Sequence, residues 1–166
     1  SITEGVWNRA SGVITVEGAT TGATVKIFGD GLLNDGLVEF DQTALTDVES
    51  NIIEIQNAGG PDGLLENYGT FNVVDSLAIG GDRIFNGLIE NYGVFFVDHR
   101  FEVDTPTPGL VHLNFGSLEV TAGNVLTLGA DDELLNDITG VILGEGTIDA
   151  SASGAVLTSH GEIVPG

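Results

Sequence analysis

The sequence predicts an all-β chain wound as a parallel β-helix, that is, a β-solenoid. Three observations lead there. The phrase Gly63-Leu64-Leu65-Glu66-Asn67-Tyr68-Gly69-Thr70-Phe71-Asn72-Val73 returns as Gly87-Leu88-Ile89-Glu90-Asn91-Tyr92-Gly93-Val94-Phe95-Phe96-Val97. A glycine keeps a nearly constant spacing, at Gly12, Gly36, Gly69, Gly93, Gly116, Gly140 and Gly161, with intervals of 24, 33, 24, 23, 24 and 21. Behind the glycines, apolar residues alternate: Ile14/Val16, Val38/Phe40, Phe71/Val73, Phe95/Val97 and Leu118/Val120. A fixed period of this size marks a repeat architecture. Strict alternation marks strands and not helices. A leucine-rich repeat shares the period, but its Leu-x-x-Leu-x-Leu frame is absent, and Gly- and Thr-rich returns disfavour helix.

About seven coils of 21–24 residues follow, with one insertion near 43–62 where the interval lengthens to 33. In the first coil Val6, Ile14 and Val16 face in, and Trp7 faces out or packs on the open end. A turn over 18–22 leads to a strand over 25–28, and the next coil covers 32–40. The insertion holds a strand over 52–55 and a turn at 59–62. The twin coils come next, with return strands expected at 77–79 and 101–103. Pro106 and Pro108 make 105–108 a stiff loop, because proline cannot donate to a ladder. Coils over 109–128 and 134–148 and a last one over 156–164 finish the chain.

At 166 residues the chain makes one domain over 1–166, and 42% apolar residues suffice for a core. The formal charge of −21, with 4 basic residues, makes nucleic acid and anionic membrane poor partners. No apolar run is long enough to insert this segment in a membrane. With no cysteine, disulfides and thiolate sites are excluded.

An asparagine precedes each of the first six glycines: Asn8, Asn34, Asn67, Asn91, Asn114 and Asn136. Asparagine tolerates the left-handed backbone of a tight corner. Stacked amides also hydrogen-bond from coil to coil as a ladder. Tyr68, Tyr92 and Phe115 fall between asparagine and glycine, and Phe96 faces outward. These four are the candidate ligand-binding residues, since an outward aromatic cluster grips a sugar ring; a corner stack is the structural alternative.

Asp30, Asp82, Asp104, Asp131 and Asp149 are each expected to follow a return strand. Sharing a corner, they would stack and repel. Exposure to salt water relieves that, and so does bound Ca2+, which takes carboxylate and carbonyl oxygens from flexible loops. They are the candidate metal ligands. No catalytic residue is singled out: His99, His112 and His160 lie on different coils without a recognisable nucleophile. A groove with paired carboxylates plus Arg83 or Arg100 would mark a polysaccharide-degrading enzyme.

Strings of the form Gly-x-Leu-x-Asn-x-Gly-x-Phe-x-Val resemble the repeats of autotransporter passengers and haemagglutinin-like adhesins of bacteria. The ending, Gly144-Glu145-Gly146-Thr147-Ile148 and then Ser159-His160-Gly161-Glu162-Ile163-Val164-Pro165-Gly166, is similar to a segment common in those passengers. The resemblance implies a right-handed helix and a piece of a longer exported protein at the cell surface or outside it. It implies a stalk or adhesive module that is not an enzyme. Its partners would be a surface glycan, a host or neighbour-cell protein, or a second copy. A carbohydrate-binding solenoid and a polysaccharide-degrading β-helix are the alternatives.

Overall fold

A computed structural model describes residues 5–18, 24–29, 31–42, 51–56, 63–74 and 81–166. Three short strands make each of the first six coils, and two make the last. The first coil carries β1 (Val6–Asn8), β2 (Val13–Gly18) and β3 (Thr24–Phe28). The second carries β4 (Leu32–Asn34), β5 (Leu37–Gln42) and β6 (Asn51–Gln56). β7 (Leu64–Asn67), β8 (Thr70–Val73) and β9 (Arg83–Asn86) make the third. β10 (Leu88–Asn91), β11 (Val94–Val97) and β12 (Phe101–Asp104) make the fourth. β13 (Val111–Asn114), β14 (Ser117–Val120) and β15 (Val125–Leu128) follow, then β16 (Glu133–Asn136), β17 (Val141–Gly144) and β18 (Thr147–Asp149). β19 (Val156–Ser159) and β20 (Glu162–Pro165) close the chain. No described residue is helical, so no described helix is long and apolar enough to cross a membrane.

Equivalent strands pair in parallel into three sheets. The first runs β1-β4-β7-β10-β13-β16-β19, the second β2-β5-β8-β11-β14-β17-β20, and the third β3-β6-β9-β12-β15-β18. The protein is a β-solenoid. Six steps of about 4.8 Å make a stack roughly 29 Å long.

The core registers as the glycine spacing predicts. Val73, Val97 and Val120 pair in one column, and Phe71, Phe95 and Leu118 in its neighbour. All six are buried. Phe71, Phe95 and Phe101 meet edge to face, with centroids 5.0–6.0 Å apart, a favoured ring arrangement.

The strand expected inside the 43–62 insertion is present: β6 is the ordinary third-sheet member of its coil, between β3 and β9. Only the connections around it are long, and residues 43–50 and 57–62 lie outside the described residues. β6 does not cover the second sheet, so Val94 stays 44% exposed and Phe96 half-buried. The return strand expected at 77–79 lies outside the described residues, and β9 at Arg83–Asn86 holds that place in the third sheet. Periodicity missed β9 because one of its two inward positions, Arg83, breaks the apolar pattern. Asn51, Arg83 and Phe101 share one inward column, and Arg83 is fully buried, its guanidinium donating to the Gly81 carbonyl at 2.7 Å.

Phe95→Ala removes one ring of the edge-to-face cluster. The expected loss is about 3–5 kcal/mol of unfolding free energy, read from the denaturant midpoint at constant slope. An unmoved midpoint would reject this register.

Candidate functional site

The corner between the first and second sheets holds most of the residues singled out by the sequence. The first six strands of the first sheet each end in the asparagine, and its side chain turns inward. Asn8 Nδ2 donates to Asn34 Oδ1, Asn34 to Asn67, Asn67 to Asn91, Asn91 to Asn114 and Asn114 to Asn136, each at 2.7 Å. Asn136 ends the series on Ser159 Oγ at 3.1 Å. The second N–H of each amide reaches a carbonyl of the next coil, as from Asn67 to Val94 O and from Asn91 to Ser117 O, both at 3.0 Å. All six asparagines are buried. An amide carries donors and an acceptor on one group, so identical residues satisfy one another when stacked.

The left-handed role expected for these residues is not what they do. All six lie in strands, and among the described residues the non-glycine with positive φ is Asp131, at 63°. The main chain turns at the glycine instead. A Cβ on Gly93 would stand 2.2 Å from the Gly69 carbonyl oxygen, and one on Gly116 the same distance from that of Gly93. Close approach of successive coils, and not backbone conformation, requires the repeated glycine. Two coils have two extra residues before the glycine. They are absorbed in turns closed by Gly12 N to Arg9 O at 2.6 Å and Gly140 N to Asp137 O at 2.9 Å. Asn8 and Asn136 therefore keep their places in the ladder.

Outside the same corner, Tyr68, Tyr92 and Phe115 form a stack. Tyr68 and Tyr92 are 4.7 Å apart at 5°, and Tyr92 and Phe115 are 4.8 Å apart at 6°. The rings cover one another's faces, Tyr92 on both sides. A sugar binds an aromatic by its face, so this stack offers edges and hydroxyls in place of a platform. Phe96 is not part of it: it lies on the second sheet, paired with Asn72 and Glu119. The Tyr92 hydroxyl donates to Glu90 Oε2 at 3.0 Å. Burial in the stack, that hydrogen bond and the Glu90 charge push the Tyr92 phenol up to about 12. Burial, then the charges of Glu66, Glu90 and Asp35, also raise Tyr68.

The four described candidate aspartates do not converge. Asp30 lies outside the described residues. Asp82 precedes β9, at the opposite end of the third sheet from Asp104, and pairs with Arg100 at 3.1 Å. Asp104 ends β12 beside Asn86, and Asp149 ends β18 beside Thr127. Asp131 sits in the turn after β15 and abuts Gly154. Among the described residues no three His, Asp or Glu side chains form a group that could hold a metal.

A polar cluster that the sequence reading missed lies where the third sheet passes to the first. Asp132 and His112 are buried, with His112 Nε2 3.8 Å from Asp132 Oδ2. Thr105 donates to Asp132 through its hydroxyl and, at 3.1 Å, its backbone N–H. Ile89 N–H donates to His112 Nδ1 at 3.3 Å, which leaves the proton on Nε2, facing the carboxylate. Burial pushes the Asp132 carboxyl up, but His112 and the two Thr105 donors outweigh it and hold it below the usual range. The cluster ties down the 105–108 loop. A single sign of it stands in the sequence, without its partners: two residues before the asparagine, where other coils carry Val6, Leu32, Leu65, Ile89, Leu134 and Leu157, stands His112.

Two outcomes test this corner. Asn91→Ala strands a donor on Asn67 and acceptors on Asn114 and Ser117. At about 1–3 kcal/mol for each unsatisfied buried group, the loss in chemical denaturation exceeds about 3 kcal/mol. Asn72→Ala, on the outward side of β8, stays within about 0.5 kcal/mol. In a spectrophotometric titration the Tyr92 phenolate appears near pH 12, and Glu90→Gln brings it down. The sign follows from a folded value above the ordinary one. The contribution is fully present below pH ~10 and is lost as pH rises through the folded value.

Comparison of the chain with protein-family models, with curated proteins and with solved structures gives no match.

Proposed function

We propose that this chain is a structural and adhesive module, a stalk or cell-surface segment of a large exported bacterial protein. One observation carries the reading: the buried amide ladder runs without a break from Asn8 to Ser159. Such a ladder joins every coil to the next through side chains as well as backbone. A load along the axis is then spread over three sheets and the ladder together. A surface this acidic repels anionic polymers and suits an extracellular setting. Partners meet the module on its outward sheet faces, where Leu88, Val111, Leu113 and Leu135 lie side by side on the first sheet.

The carbohydrate-binding alternative has less support, because the aromatic faces at the corner cover one another. The enzymatic alternative loses Arg83 as a groove cation, since that side chain is fully buried.

The test presents the chain on beads. Beads are expected to adhere to a cell surface or to a surface coated with this chain, with adhesion unaffected by free mono- and oligosaccharides. Inhibition by a free sugar would move the reading to the carbohydrate-binding module. Release of reducing ends from a polysaccharide would move it to the enzyme.

A further inference from the structure

The chain holds two tyrosines and one tryptophan, and neither cysteine nor methionine. The sulfur side chains that readily take up oxidising equivalents are therefore absent. Histidines aside, the oxidisable rings are Trp7, Tyr68 and Tyr92. The two tyrosines lie 24 residues apart, which is one coil. They hold the same position on adjacent coils, since Asn67 pairs with Asn91 just before them. Their centroids are 4.7 Å apart and their planes 5° apart, so each ring carbon stands about that far from its counterpart. Both rings are open to solvent, Tyr68 at 49% and Tyr92 at 39%.

Each phenol also has a base beside it. Tyr92 Oη donates to Glu90 Oε2 at 3.0 Å, and Glu66 is the corresponding hydrogen-bond partner of Tyr68. A phenol that loses an electron gives up its proton, and a carboxylate within hydrogen-bond reach takes it. Phe115 covers the far face of Tyr92 at 4.8 Å and has no hydroxyl. In the coil before Tyr68 the equivalent residue is Asp35, next to Asn34. The stack thus offers one pair of phenols and no third.

We propose that Tyr68 and Tyr92 are a site of oxidative cross-linking, where an oxidant of the peroxidase–peroxide class joins them as dityrosine and ties the third coil to the fourth. Each phenol loses one electron and one proton, the protons passing to Glu90 and Glu66. The unpaired electron of a phenoxyl spreads to the ring carbons beside the oxygen. One carbon–carbon bond forms between two such carbons, one from each ring, as the exposed rings turn toward each other. The hydrogens on those carbons then move to the oxygens, which restores two phenols. The chain has lost two hydrogens, and one hydrogen peroxide has become two waters. The link closes a loop of 24 residues and restricts the unfolded chain as a disulfide would. The inference goes beyond the adhesive reading and takes from it only the exported setting, where such oxidants act.

Dilute chain treated with a haem peroxidase and hydrogen peroxide tests this. Wild type is expected to gain the fluorescence of coupled phenols, lose two hydrogens in intact mass and remain a single chain. Peptide mapping joins the segment holding Tyr68 to that holding Tyr92, in a yield independent of protein concentration. The linked chain unfolds at a higher denaturant midpoint. Tyr68→Phe and Tyr92→Phe each abolish the link, and Glu66→Gln with Glu90→Gln slows it. Adding Phe115→Tyr to Tyr68→Phe restores a link, now between positions 92 and 115, whose rings are 4.8 Å apart at 6°. Trp7→Phe removes the competing indole and keeps the yield. Links formed only between chains, rising with concentration, overturn the proposal. So does a Trp7→Phe chain that forms no link between 68 and 92, or a Phe115→Tyr chain in which no link returns. A chain that adheres on beads yet forms no link removes this inference and leaves the stalk reading standing.

Discussion

Every coil sits about 4.8 Å from the next in register, so each residue rests on its own counterpart. That single constraint decides which residue types the structure accepts. Asparagine stacks on asparagine because its amide donates and accepts. Tyr68, Tyr92 and Phe115 stack with rings nearly parallel because flat neighbours at this spacing are in van der Waals contact. Phenylalanine in the interior escapes the same geometry by tilting, so Phe71 and Phe95 meet at 79°. Carboxylates gain nothing from their own kind. A chain of formal charge −21 must keep them out of long columns. The register shows it doing so. In the outward columns of the described sheets, acids adjoin in pairs at most: Glu66 on Glu90, and Glu17 on Asp41. Leucine, threonine, asparagine or an aromatic ring interrupts each run.

That dispersal explains why the expected acidic corner is absent. The sequence shows aspartates near strand ends, but it does not show which end. Asp82 reads as the close of a strand only if 77–79 is taken as that strand. The third sheet uses Arg83–Asn86 instead, which turns Asp82 from last position to first. The core and the ladder were legible because both rest on spacing from a glycine, and spacing survives substitution. β9 and the His112–Asp132 cluster were not, for a shared reason. Arg83 and His112 occupy inward positions where the repeat calls for an apolar residue. A polar residue there is accepted only when hydrogen-bonding partners surround it. Those partners, Gly81 for the first and Thr105 and Asp132 for the second, arrive from connections whose path the period does not predict.

Burying amides needs its own justification, since apolar columns would fill the same space. Alternation has a period of two, so it separates the inward face from the outward face and nothing more. A coil that slipped by two residues along its neighbour would still bury apolar side chains. In such a slip Asn67 would stand against Ile89 in place of Asn91. Its donors and acceptor would lose their partners, and so would those of each amide broken along the line. At about 1–3 kcal/mol for every unsatisfied buried group, the slipped stack is disfavoured by more than apolar packing could recover. The glycine corner adds a steric term of the same sense. Gly93 passes so near the Gly69 carbonyl that any residue with a Cβ brought there by a slip would collide. Amide and glycine lie two residues apart in four coils, and turns restore the match in the coils of Asn8 and Asn136. The buried asparagines are thus the register mark of the solenoid. Their directionality, donor toward one end and acceptor toward the other, makes the two ends of the stack chemically different.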